Sequence, residues 1–274
     1  MKTLSSKPAY ESSVMAMLEK LPIFSFYEKT RGWPFLMAWF HRISGILILI
    51  LALFQIYILS TVNTESGGAL TSHVLKSILI GFIQWILAIP VIFHTLNGGR
   101  LILYENFGNR NDAFMIRWMC ALSIIYLALL GLLMLMGNQG VSPFLFWLVM
   151  FLAALILGYR IAKEFGKTKH DPFWKWQRIS GAFLLVMVPA YILMKQLNPS
   201  AVGGGTNLLF RLQGSFVRFT HLVLLVGVLY HGGYGLFSVV GDYLASRAFR
   251  VGAAVLIGLV MLLFLWMGVS TVWR

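Results

Sequence analysis

Acid is scarce in this 274-residue chain: nine Asp and Glu stand against twenty-two Lys and Arg, and charge of either sign makes up only 11% of it. Soluble domains carry about 25% charged residues, because a buried core needs a polar skin, so an ordinary water-soluble fold is excluded. Cysteine is reduced to one, Cys120, inside an apolar run. That excludes a disulfide framework, a CxxC pair and a cysteine-held metal cluster. What abounds is apolar, at 59% of residues and a mean hydropathy of +0.80. The skin of such a protein is itself apolar, and the solvent it faces is lipid. A net charge of +13 would suggest nucleic acid in a soluble chain. In a lipid-embedded chain, basic residues gather in cytoplasmic loops beside anionic headgroups, and no nucleic-acid partner is implied. The polar, mixed-charge N-terminal stretch has no signal-peptide pattern.

A helix needs about 20 apolar residues to cross a hydrocarbon core of about 30 Å. Charge-poor windows run 43–64, 77–99, 179–194, 219–241 and 251–273, and another, 118–159, is broken by Gly137-Asn138-Gln139-Gly140 into two helices. The expected fold is an all-α integral membrane protein of about seven transmembrane helices. With the N-terminus inside, seventeen Lys and Arg fall on the inner side and five on the outer. That bias orients the chain with a cytoplasmic N-terminus, and a bacterial or archaeal cytoplasmic membrane is the expected location of this multi-pass protein.

A short repeat runs through the chain. Arg42-Ile43-Ser44-Gly45 recurs 136 residues later as Arg178-Ile179-Ser180-Gly181. His94-x-x-x-Gly98 follows the first motif and His231-x-x-x-Gly235 the second, and eleven residues beyond each histidine stands an acid beside a tyrosine, Tyr104-Glu105 and Asp242-Tyr243. Three crossings end on the opposite face, so two three-helix units joined directly would be inverted. A fourth span, near 143–160, restores direction and makes the units parallel repeats. The expected organisation is an N-terminal segment 1–34 along the inner surface, a first three-helix repeat 35–137, a linker helix 141–163, and a second three-helix repeat 170–274.

Equal spacing from histidine to acid, about 16 Å of helical rise, puts His94 and His231 at one depth near the middle of the membrane. An ionisable group there needs a partner. Two neutral imidazoles at matched depth on facing helices can ligate one haem iron from both sides, with neither axial position open. Gly98 and Gly235 lie on the histidine faces, where a porphyrin would need room. Hydrogen bonding to a neighbouring helix is the alternative for either histidine alone. His221 is not level with either, and reads as a packing residue or as a ligand of a second haem. His41, Arg42, Arg100 and Arg178 fall near the inner boundary, as interfacial anchors or as donors to haem propionates. Asp242 and Tyr243 lie near the same level, where a tyrosine hydroxyl and a basic donor could hold the oxygens of a quinone; Tyr243 also fits an aromatic belt.

These residues resemble the cytochrome b membrane anchor of succinate dehydrogenase (succinate:quinone oxidoreductase, respiratory complex II). His41-Arg42-x-Ser44-Gly45 and His94-x-x-x-Gly98-x-Arg100 resemble its larger anchor subunit; Arg178-x-x-x-Ala182 and His231-x-x-x-Gly235 leading to Asp242-Tyr243 resemble the smaller one. The chain looks like the two fused. The resemblance implies haem b with His94 and His231 as axial ligands of its iron, and His41, Arg100 and Arg178 near the propionates. It also implies a quinone, ubiquinone or menaquinone, bordered by Arg42, Ser44, Asp242 and Tyr243. Departures from the family pattern are Ala38 in place of a serine, Leu101 in place of a histidine and Glu105 in place of aspartate.

No catalytic dicarboxylate residue is expected in this chain. It implies partners instead: a soluble iron–sulfur subunit and a flavoprotein subunit, in electron transport between the tricarboxylic acid cycle and the respiratory chain, with a higher oligomer left open. Three alternatives stand beside this reading: a fumarate reductase anchor running in reverse, the cytochrome b subunit of another membrane oxidoreductase, and a transporter with histidine proton sites.

Overall fold

A chain surrounded by hydrocarbon must satisfy its own backbone hydrogen bonds, and a helix does so within one segment. The computed structural model describes residues 22–62, 78–108, 111–136, 139–197 and 208–273. Its helices are α1 (Pro22–Val62), α2 (Ile78–Phe107), α3 (Asp112–Met136), α4 (Pro143–Gly166), α5 (Pro172–Leu197), α6 (Leu208–Tyr243) and α7 (Arg247–Trp273). All seven are long and apolar enough to span a membrane, and no strand occurs among the described residues. The protein is an all-α, multi-pass membrane protein. His73, the first 21 residues and most of the two polar outer connections lie outside the described residues.

The helix boundaries follow local chemistry. Asn111 and Asp171 each turn a side-chain oxygen onto the first backbone N–H groups of the following helix, Phe114 N at 3.1 Å and Phe173 N at 2.8 Å. Ser142 caps α4 in the same way, and Pro143 opens that helix where its missing N–H costs no bond. The turns after α2 and α3 use Gly108 (φ 61°) and Gly140 (φ 63°), left-handed positions that side chains with a Cβ rarely adopt. The sequence sets residues 1–34 apart, yet α1 already begins at Pro22 and carries Pro34 inside it.

α1 is shared between two compact units, residues 22–43 falling in the first and Ser44–Val62 in the second. In the second unit α5 is the hub, packed against α2, α3, α4 and α6; α2 also packs on α3, and α6 on α7. Burial follows this order: a third of the apolar window of α2 and of α5 is buried, against 6% of that of α7. The fourth helix is more than a connector. Trp147, Phe151 and Ala154 of α4 interlock with Phe183, Leu184, Met187 and Ala190 of α5, and nearer the helix ends Ile161 and Phe165 join Ile102 and Ala182.

Candidate functional site

His94 on α2 and His231 on α6 face each other with ring centres 6.4 Å apart and ring planes at 87°. Both rings are half-buried. Imidazoles bonded from opposite sides to one metal, each at about 2.0 Å, have ring centres roughly 6 Å apart. Edge-to-face contact between two rings covers the same range, about 4.5–7 Å, so the nitrogen partners carry the distinction.

Each histidine turns Nδ1 onto a serine of the repeated motif. Ser44 Oγ lies 3.3 Å from His94 Nδ1, and Ser180 Oγ lies 3.4 Å from His231 Nδ1. The Gln177 carbonyl approaches His231 Nδ1 at 3.2 Å. The glycine after each serine accommodates the ring: a Cβ on Gly45 would stand 2.8 Å from His94 Cε1, and one on Gly181 would stand 2.9 Å from His231 Cε1. The two glycines against the imidazoles are therefore Gly45 and Gly181. Gly98 and Gly235, which the sequence places on the histidine faces as room for a porphyrin, are a different pair; a Cβ on Gly235 would meet the side-chain amide of Gln177 at 3.6 Å. The recurrence of Ser-Gly itself was the available signal, since a hydroxyl and a missing Cβ are what a buried imidazole needs beside it.

The basic residues divide. Arg100 is buried, donating to Asp112 Oδ1 at 2.8 Å and to Asn97 Oδ1 at 2.9 Å. Arg178 donates to Glu105 Oε1 at 2.6 Å and lies 5.0 Å from the Trp174 ring centre. The structure thus joins the arginine of the second motif to the acid that follows the first histidine. Arg178 Nε and Gln177 Oε1 are buried without hydrogen-bond partners, a donor and an acceptor on the helix that carries Ser180. In the first unit His41 is half-buried and Arg42 exposed; at the end of α6, Asp242 and Tyr243 are exposed. The sequence does not single out Asp112, Glu105, Gln177 and Ser180 as site residues, because their partners lie on other helices, nor Asn97, whose partner Arg100 lies three residues further along α2.

His221 is separate from this centre. Its ring packs edge-on against Trp147 at 5.1 Å and Tyr191 at 6.1 Å, and Tyr191 in turn carries Lys195 Nζ 4.7 Å above its ring.

Among the described residues no group of three or more His, Cys, Asp or Glu side chains gathers as a metal site. Two facing imidazoles without further protein ligands suit a metal that arrives with most of its ligands already attached, as in a porphyrin. Residues 26–133 match the family described as succinate dehydrogenase/fumarate reductase transmembrane subunit. The chain resembles that anchor family. The match spans most of α1 through α3 and includes His41, Arg42, Ser44, His94 and Arg100. No curated protein and no solved structure matches the chain. The match covers one of the two facing histidines, His94, and the other lies beyond it.

Proposed function

We propose that the chain is the haem b-containing, quinone-binding membrane anchor of a succinate dehydrogenase, passing electrons from an iron–sulfur subunit to quinone. The observation that carries this reading is the facing pair His94 and His231, each seated on a Ser-Gly pair from the same repeated motif. The family match supports it from an independent side.

When bound, haem b supplies a one-electron carrier within the membrane. The chain's own residues do the holding. His94 and His231 would bind the iron through Nε2, their Nδ1 atoms being turned to serine. Arg178, with a buried unpartnered Nε, would give a charge-assisted hydrogen bond to a propionate. Arg100 is proposed beside it by resemblance, although its guanidinium is already held by Asp112 and Asn97; His41 is proposed on the same ground. By resemblance too, Arg42, Ser44, Asp242 and Tyr243 are the proposed quinone residues. Tyr243 would donate to a quinone oxygen, and Asp242 would supply a proton as the quinone is reduced.

We further propose that the chain is a fusion of two parallel three-helix anchors joined by α4, with the N-terminus cytoplasmic. The repeated motifs and the 17-to-5 distribution of Lys and Arg support this. The basic inner side would dock the iron–sulfur subunit, which in turn holds the flavoprotein subunit with the dicarboxylate site. The family description names fumarate reductase alongside succinate dehydrogenase, so the reverse direction, oxidising a quinol, is the second reading.

The deciding experiment is a reduced-minus-oxidised optical spectrum of the purified protein beside His94→Ala and His231→Ala. A b-type spectrum in the unsubstituted protein that is lost in both variants is expected; normal haem content in both variants overturns the ligand assignment.

A further inference from the structure

We propose that Ser180 and Ser44 are matched positioning residues that accept from Nδ1 of the axial histidines, Ser180 together with the Gln177 carbonyl, and so hold the proton on that nitrogen. This rests on the haem reading and assigns Ser44 to the imidazole. A carbonyl oxygen only accepts hydrogen bonds, and the Gln177 carbonyl lies 3.2 Å from His231 Nδ1. The Ser180 hydroxyl donates to that same carbonyl at 3.0 Å. With its one proton committed there, Ser180 Oγ faces His231 Nδ1 at 3.4 Å as an acceptor.

Two acceptors around one ring nitrogen require that nitrogen to be N–H, since a bare lone pair there would meet two oxygen lone pairs. A neutral imidazole protonated at Nδ1 has its lone pair on Nε2, and this is the tautomer that binds a metal through Nε2. Ser44 puts its hydroxyl oxygen 3.3 Å from His94 Nδ1, the same reach in the other half, and is assigned the same accepting role. The adjacent Gly45 and Gly181 let each ring lie against its neighbouring helix. The serine helps hold the proton, the glycine sets the ring plane, and the two planes finish nearly perpendicular at 87°.

A second consequence concerns potential. An Nδ1–H that donates to oxygen makes the imidazole a more basic ligand, which favours the oxidised iron. Removing that acceptor should make the iron easier to reduce.

The test uses the full-length protein purified in detergent, with potentiometric titration of the haem followed optically. Electron paramagnetic resonance of the oxidised form then reports the ligand planes. Ser180→Ala is expected to retain haem and to raise the midpoint potential by less than tenfold in the reduction equilibrium, under about 59 mV for one electron, because the Gln177 carbonyl still accepts from His231 Nδ1. Ser180→Thr, which keeps a hydroxyl, should restore the unsubstituted value, and Ser44→Ala should shift the potential in the same direction. If Ser180→Ala does not fold, Ser44→Ala and Ser44→Thr are read by the same criterion. Potentials and resonance spectra unchanged in the alanine variants overturn the proposal, as does a threonine variant shifted as far as alanine. Absence of haem from the unsubstituted protein removes both this role and the haem reading. Haem lost in His231→Ala but unmoved in potential by Ser180→Ala removes this role alone.

Discussion

Gln55 Nε2 donates to the Tyr191 hydroxyl at 3.0 Å, and the two residues stand 136 positions apart, the interval between the two Arg-Ile-Ser-Gly motifs. The facing histidines stand 137 positions apart, so residues at nearly the same interval meet at two places, this bond and the histidine pair. Interhelical hydrogen bonds of this kind average about 0.6 kcal/mol within membranes, because the alternative state finds partners too. A double-mutant cycle of Gln55→Ala and Tyr191→Phe, read by unfolding in mixed micelles, should return a coupling energy of about 0.5–1 kcal/mol. Purely additive losses would show that the bond contributes nothing.

The two motif glycines should be intolerant. Gly45→Ala and Gly181→Ala place a carbon within 2.9 Å of an imidazole carbon, so the ring or the helix must shift. Both variants are expected to lower the haem-to-protein ratio, while Gly252→Ala, whose Cβ would meet nothing within 4 Å, should leave it unchanged. Measured haem stoichiometry across the three separates a steric effect at the histidines from general loss of stability.

The two arginine pairs should differ in strength because they differ in exposure. Asp112 is 31% exposed but the Arg100 side chain it holds is only 5% exposed, whereas Arg178 and Glu105 are each 26% exposed, so losing the acid strands a buried guanidinium only in the first pair. Breaking a buried pair from one side leaves a desolvated charge and costs about 3–5 kcal/mol, whereas a partly solvated pair contributes about 1 kcal/mol or less. Asp112→Asn is therefore expected to destabilise the protein by more than Glu105→Gln, and raised salt should weaken the Glu105 pair first. Thermal unfolding of both variants at two ionic strengths checks the order.

His221 serves packing in this structure, enclosed by Trp147 and Tyr191. His221→Leu should leave the haem-to-protein ratio unchanged and lower stability by about 1–2 kcal/mol through the lost ring contacts. A fall of haem content by half would instead identify a second haem site at this residue.

The membrane class, the seven spans and the pairing of His94 with His231 all followed from the order of residues along the chain. Span length is set by the thickness of hydrocarbon, and depth by a fixed rise per residue, and both are local properties of one helix. The rotation of each helix about its own axis is not local, because only the shapes of its neighbours settle it. So the sequence shows Gly98 and Gly235 on the histidine faces, while only packing brings Gly45 and Gly181 against the rings. The sequence places Arg100 and Arg178 at the membrane boundary as anchors or propionate donors, and only the fold shows that Asp112 and Glu105 pair with them. The Ser-Gly repeat was visible in the sequence, but its chemistry emerged only when α1 and α5 laid it against histidines 50 and 51 residues away. Hydrogen bonds between helices depend on which faces meet, and that was decided by tertiary packing.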